Sequence, residues 1–285
     1  MYYNAGKLER ENVPAGEFMR FMYENPVGRA TLPFLIKRKF LSRIYGAYCR
    51  TGFSVRNVPK FIREHNIDMA GCKAEFSSYA DFFSREKVFA FPQERDVLFA
   101  PCEGLACVYE NIKTDSLIAA KDSHFSLAEL FQDERLAAEY ADGTMLKIRL
   151  TPANYHRMHF FDDGKIVSEK FVDGHLYSVN PIAVSRIIRL YCQNKRAIFE
   201  METEQFGRVA VVEVGATFVG SIVHLFEVGK AFSRGETASY FLPGGSLVLI
   251  FFQKGIFSPK DEILAHTQEG YETKISVGEE IGVKI

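Results

Sequence analysis

The stretch Pro243-Gly244-Gly245-Ser246-Leu247-Val248-Leu249-Ile250-Phe251-Phe252 decides how the rest of this 285-residue chain is read. Six large apolar residues in a row predict a buried strand, and the two glycines before it predict a turn. The same residues hold a chemical possibility. Glycine, lacking Cβ, lets the backbone take conformations that other residues resist, and the Ser246 hydroxyl directly follows the Gly245 carbonyl. That order suits attack of a side chain on its own backbone. A glycine turn entering a core strand remains the ordinary reading until other residues support the chemistry.

Outward from this strand the pattern is mostly β. Val97-Leu98-Phe99, Leu105 to Tyr109, Met145 to Leu150 and Val209 to Val214 read as short strands, with Asp163-Gly164 as a hairpin turn. Ser126-Leu127-Ala128-Glu129 is a capping box that opens an inserted helix. The first third reads as helical. Pro33 suits a first helical turn, and Leu41, Ile44, Tyr45 and Tyr48 share one face. Pro59 opens a second helix that ends near Asn66, and Ser78 with Asp81 resembles another capping box. The expected fold is α+β, with a helical region at 1–90 packed on a mostly antiparallel β domain at 91–285.

Lys and Arg number 35 against 36 Asp and Glu, so no global basic field argues for nucleic acid. Five cysteines, an odd number without a CxxC pair, predict reduced thiols. Met1 to Lys7 shows no apolar signal core. The six-residue run at Leu247 falls far below the ~20 residues that span a bilayer. The expectation is a protein that is soluble or lies on a membrane surface.

Tyr155-His156-Arg157-Met158-His159 sets two histidines three residues apart. Pro152 before them and Asp163-Gly164 after them favour an extended segment, in which such side chains point apart and chelate poorly. No metal is expected. Two buried imidazoles satisfied by backbone groups are the structural alternative. The chemical reading gives one imidazole the activation of a serine and the other a proton exchange with substrate. Leu247-Val248 after Ser246 departs from the G-x-S-x-G elbow and disfavours an ordinary serine hydrolase.

These residues also resemble a family, the phosphatidylserine decarboxylases. The resemblance rests on Phe82-Phe83-Ser84-Arg85-Glu86, Tyr155-His156-Arg157-x-His159, Leu176-Tyr177-Ser178-Val179-Asn180-Pro181 and Asn194-Lys195-Arg196. It continues through Val214-Gly215-Ala216-Thr217-x-Val219-Gly220-Ser221 and Tyr240-Phe241-x-x-Gly244-Gly245-Ser246. It implies self-cleavage at Gly245-Ser246 into a β chain of residues 1–245 and an α chain of residues 246–285. Ser246 would become a pyruvoyl cofactor that decarboxylates phosphatidylserine to phosphatidylethanolamine through a Schiff base. The resemblance assigns His159 as the base for self-cleavage and His156 to decarboxylation. Glu103 in Pro101-Cys102-Glu103-Gly104 stands where the family has an aspartate, as the relay carboxylate, with Asp162 and Asp163 as local substitutes that a turn would leave solvent-exposed.

A lipid substrate gives the basic amphipathic stretch Ile36 to Ile44 a purpose. Lys37, Arg38, Lys39 and Arg43 would face an anionic membrane, each contributing ~1 kcal/mol, unless these helices instead pack a homodimer. The expected location is peripheral, on the cytoplasmic face of the cell membrane. The rival readings are a pyruvoyl decarboxylase of a soluble amino acid and a lipid-binding homologue that fails to process because of Glu103.

Overall fold

A computed structural model of the chain describes residues 1–11, 16–37, 39–114, 117–118, 124–216 and 221–285. The strand Ser246–Phe252 is buried along its whole length, with Gly207–Gly215 on one side and Thr144–Leu150 on the other, both antiparallel. Among the described residues these belong to a ten-stranded sheet. Beyond Gly207–Gly215 come Arg196–Thr203, Gly164–Val172 and Ala231–Phe232. Beyond Thr144–Leu150 come Gly104–Glu110, Glu272–Ile275, Tyr2–Asn4 and Lys7–Glu9. The pairing of Tyr2–Asn4 with Glu272–Ile275 is parallel, and the other pairings in this sheet are antiparallel.

Successive side chains of a strand point to opposite faces, so a strand apolar at every position feeds two cores. Leu247, Leu249 and Phe251 pack with Ala210, Val212 and Val214 on one face, under the short helices Leu127–Phe131 and Leu190–Gln193. Val248, Ile250 and Phe252 pack with Val209 and Val211 on the other, toward Phe99, Met158 and Phe161. The α+β architecture follows, with the central strand as the seam of two layers.

Ser126 and Glu129 form the expected capping box, and Val58–His65 ends at Asn66 in the left-handed conformation. Three expectations need correction. Asp163-Gly164 is not a hairpin turn. Arg157–His159 belongs to a separate three-stranded sheet with Thr237–Phe241 and Ile222–His224, so the chain crosses between sheets at that point. Pro33 does not open its helix, which runs Pro26–Lys37 with Pro26 at the first position. Ser78 caps the Asp81 amide, but the Asp81 carboxylate turns to Ser77 and Lys73 and leaves the box half formed.

Candidate active site

The Ser246 hydroxyl sits at the first position of the central strand, opposite Gly215 on one neighbour and Leu150 on the other, and is buried. A Cβ at Gly245 would meet Ala216 Cβ at 3.3 Å and Val179 Cγ2 at 3.5 Å, so the turn is closely walled. Asn194 builds that wall. Its amide donates to the carbonyls of Tyr177 at 2.8 Å and Gly215 at 2.9 Å, and its oxygen accepts from the Tyr177 amide at 3.0 Å. The Asn194-Lys195-Arg196 motif marked this residue. Its bridging role depends on a contact across 21 residues that no local pattern carries.

His156 faces the serine. Its Nδ1 lies 3.4 Å from Ser246 Oγ, and its Nε2–H donates to the Thr151 carbonyl at 2.9 Å. A carbonyl only accepts, so this bond fixes the proton on Nε2 and leaves the Nδ1 lone pair for the serine. The ring stacks on Phe83 with centroids 3.9 Å apart. Burial, reinforced by the Arg85 charge, lowers the His156 pKa to about 3. At neutral pH it is an uncharged imidazole with its lone pair toward Ser246.

His156, and not the expected His159, is the imidazole beside Ser246. The hydrogen bonds of His159 go elsewhere. Its Nδ1–H donates to the Gly235 carbonyl at 2.9 Å, and its Nε2 accepts from the Tyr155 hydroxyl at 3.1 Å. Burial lowers its pKa as well. The physical reason is the extended backbone, which sends neighbouring side chains apart and leaves His156 alone on the serine side.

Glu103 touches neither histidine. Its carboxylate accepts from Asn154 Nδ2 at 2.7 Å and from the Tyr155 amide at 3.1 Å. Asn154 Oδ1 in turn accepts from the Thr151 amide at 2.7 Å and the Thr151 hydroxyl at 2.8 Å. Glu103 thus holds the turn whose Thr151 carbonyl orients His156, one step removed from a relay carboxylate. Asp162 is buried, contrary to the solvent-exposed turn expected, and accepts from the amides of Asp163 at 2.9 Å and Gln205 at 2.6 Å. Asp163 pairs with Arg95 and accepts from the Arg234 amide at 2.6 Å. These bonds engage both aspartates away from the histidines.

Arg38 and the Thr217 to Gly220 segment lie outside the described residues, as do the side chains of Lys37, Lys39 and Arg43. Among the described residues no cluster of His, Cys, Asp or Glu is arranged to hold a metal, and no helix is long and apolar enough to cross a membrane.

The arrangement can deprotonate a serine next to its own peptide carbonyl. A family model described as phosphatidylserine decarboxylase matches residues 79–283, the span that holds all of these groups. A phosphatidylserine decarboxylase proenzyme of Ruminiclostridium cellulolyticum is 40% identical over 280 residues, covering 95% of this chain and 93% of that protein. Proteins of the same name from Clostridium botulinum (strain Alaska E43) and Clostridium perfringens (strain SM101) are 38% and 37% identical. They cover 98% and 96% of this chain, and 96% and 95% of their own lengths. The chain belongs to the phosphatidylserine decarboxylase family.

Proposed function

We propose that this chain cleaves itself at Gly245-Ser246 and then decarboxylates phosphatidylserine to phosphatidylethanolamine at the membrane surface. The observation that carries the reading is the His156 lone pair, fixed by the Thr151 carbonyl and aimed at Ser246 Oγ. His156 takes the hydroxyl proton as Oγ attacks the Gly245 carbonyl, converting the peptide bond to an ester. Elimination across Cα–Cβ of Ser246 frees the Gly245 carboxylate, and hydrolysis of the remaining dehydroalanine releases ammonia.

The pyruvoyl group left on residue 246 would supply the electron sink for loss of CO2. It is made of Ser246's own carbons, so the buried space now filled by that residue fits it. His156, the imidazole beside residue 246, is also the one within reach to return a proton to substrate. No metal is needed in this scheme.

The helices before residue 50 expose apolar side chains, including Phe18, Phe21, Val27, Ile44, Tyr45 and Tyr48. Such a surface fits shallow insertion among lipid headgroups and supports a peripheral location, which we take to be the cytoplasmic face of the membrane. Of the expected 1–90 region, the helices before residue 50 then form the docking surface, while Tyr2–Asn4, Lys7–Glu9 and Phe83 join the 91–285 catalytic domain, and the two cleaved chains stay together as a heterodimer.

The test is an intact-mass spectrum of purified protein, followed by CO2 release from detergent-dispersed phosphatidylserine and from free serine. Two fragments and lipid-selective release are expected, and Ser246→Ala should stay uncut. A single uncut wild-type chain would leave a lipid-binding module, and release from free serine a soluble amino-acid decarboxylase.

A further inference from the structure

A buried guanidinium brings five N–H donors and needs acceptors for them. Arg196 shows how this chain meets that need. Its Nε donates to Leu130 O at 2.8 Å, Nη1 to Cys192 O at 2.6 Å and Asn194 O at 3.1 Å, and Nη2 to Glu129 O at 3.1 Å. Arg85, only 4% exposed, has no such cage. Its Nη1 reaches Phe82 O at 3.5 Å and Nη2 reaches Asn154 O at 3.4 Å, both beyond ordinary hydrogen-bond length. Its Nε has no partner, and it makes no ion pair among the described residues. The Phe82 ring under the guanidinium, 5.0 Å from its carbon, and the Cys72 thiol beside it give partial compensation, but an aromatic ring and a thiol carry no net negative charge. A buried cation so served is costly unless an anion completes it.

Arg85 lines a cavity of about 600 Å³ whose wall includes the Thr151 to Tyr155 turn. The acids of that cavity are engaged elsewhere. Glu11 bonds Arg149 at 2.7 Å, Asp68 bonds Lys87 at 2.7 Å, Glu64 lies 3.6 Å from Lys60, and Glu103 holds Asn154 and the Tyr155 amide. Arg10 and Lys274 are exposed lining residues that make no ion pair among the described residues. Glu103 attracts Arg85 from the cavity wall, but its oxygens are taken by Asn154 and the Tyr155 amide, so Arg85, Arg10 and Lys274 have no carboxylate within ion-pair distance among the described residues. The cavity also adjoins the reacting groups, since Phe83, two residues before Arg85, stacks on His156, and the shared turn carries Thr151.

We propose that Arg85, helped by Lys274 and Arg10, binds the phosphodiester of the phospholipid headgroup. The assignment rests on the decarboxylase reading for its choice of ligand. That substrate carries two anionic groups, and chemistry separates them. The carboxylate loses its charge as CO2 departs, so a guanidinium on it would stabilise the ground state more than the transition state. The phosphodiester keeps its charge throughout, and binding it equally in both states costs the reaction nothing. Guanidinium geometry also matches two phosphate oxygens.

The test uses the full-length uncut Ser246→Ala protein, titrated calorimetrically with glycerophosphoserine, inorganic phosphate and free serine. Glycerophosphoserine and phosphate should bind, free serine should not, and Arg85→Gln should weaken both phosphate ligands by tens of fold. Unchanged binding in Arg85→Gln, or serine binding as tightly as glycerophosphoserine, overturns the subsite. Should Arg85→Gln fail to fold, Arg85→Lys carries the test. In the cleaved enzyme that variant should raise KM for phosphatidylserine severalfold with kcat nearly unchanged. A fall in kcat alone would refute a binding role. Lys274→Gln, at the exposed wall, should cost only a fewfold, and that loss should vanish in high salt. Binding to the uncut chain is independent of catalysis. Arg85-dependent phosphate binding without decarboxylation would sink the decarboxylase reading alone, and decarboxylation without such binding would sink the subsite alone.

Discussion

If His156 is the base for self-cleavage, its pKa of about 3 dictates an unusual pH profile. The reactive form is the neutral imidazole, and depression of the pKa extends that form far into acid. Self-cleavage should keep a constant rate from neutral pH down through pH 5. It should fall only as pH approaches 3, the reverse of the break near 6.5 that an unperturbed histidine gives. His156→Ala removes the base and the stack on Phe83, and should slow cleavage by about 100- to 10,000-fold, the usual contribution of general-base catalysis. His159→Ala, whose ring bonds Gly235 and Tyr155, should cleave within a few fold of wild type. The assay is the first-order appearance of the 246–285 fragment in freshly synthesised protein, sampled between pH 5 and 8. A midpoint near 6.5, or normal cleavage by His156→Ala alongside arrest by His159→Ala, would refute the assignment drawn from the geometry.

Glu103→Gln leaves one oxygen to serve two donors and should slow cleavage about tenfold by loosening the Thr151 turn; a loss of a thousandfold or more would restore a direct relay role. Asn194→Ala strands the Tyr177 amide and the carbonyls of Tyr177 and Gly215 and should lower unfolding free energy by about 3 kcal/mol, read as a shift in urea midpoint. Although burial raises the Glu272 pKa, Arg149 and Lys147 pull it down to about 2. Its stabilisation, about 3 kcal/mol, is therefore complete above the unfolded carboxylate pKa and lost as pH falls toward 2. His156 acts in the same direction, because below about 6.5 the unfolded chain takes up a proton that the folded chain refuses until about 3. Urea midpoints should fall steadily from pH 6.5 to 3, and a flat profile would contradict both shifts.

What the sequence made legible was periodic or local. The run from Leu247 to Phe252 announces a strand covered on both faces, and that alone places it at the centre of a sheet between two cores. Asn66 and the Ser126–Glu129 box end and begin helices through bonds spanning a few residues. Expectation and geometry part where the outcome depends on distant partners. Asp163-Gly164 has the composition of a hairpin turn, yet the strand after it pairs with Arg196–Thr203. Which histidine meets Ser246 is settled by a contact across 90 residues, and spacing could show only that the two diverge. Glu103 looked like a relay because charge and position matched, but Asn154 and the Tyr155 amide claim its oxygens.

The place of Ser246–Phe252 in the sheet also sets when chemistry can begin. The scissile bond precedes a strand that comes later in the chain than its scaffold, and the neighbours that orient Ser246 come from Gly207–Gly215 and Thr144–Leu150. On a ribosome the earlier strands emerge first and must wait with an open gap between them. The gap closes only when Ser246–Phe252 slots in, and the strand Glu272–Ile275 that follows it then lies beside Tyr2–Asn4. Until that strand is seated, Ser246 lacks both its strand neighbours and its base. Maturation thus waits on assembly of the sheet and happens once per molecule.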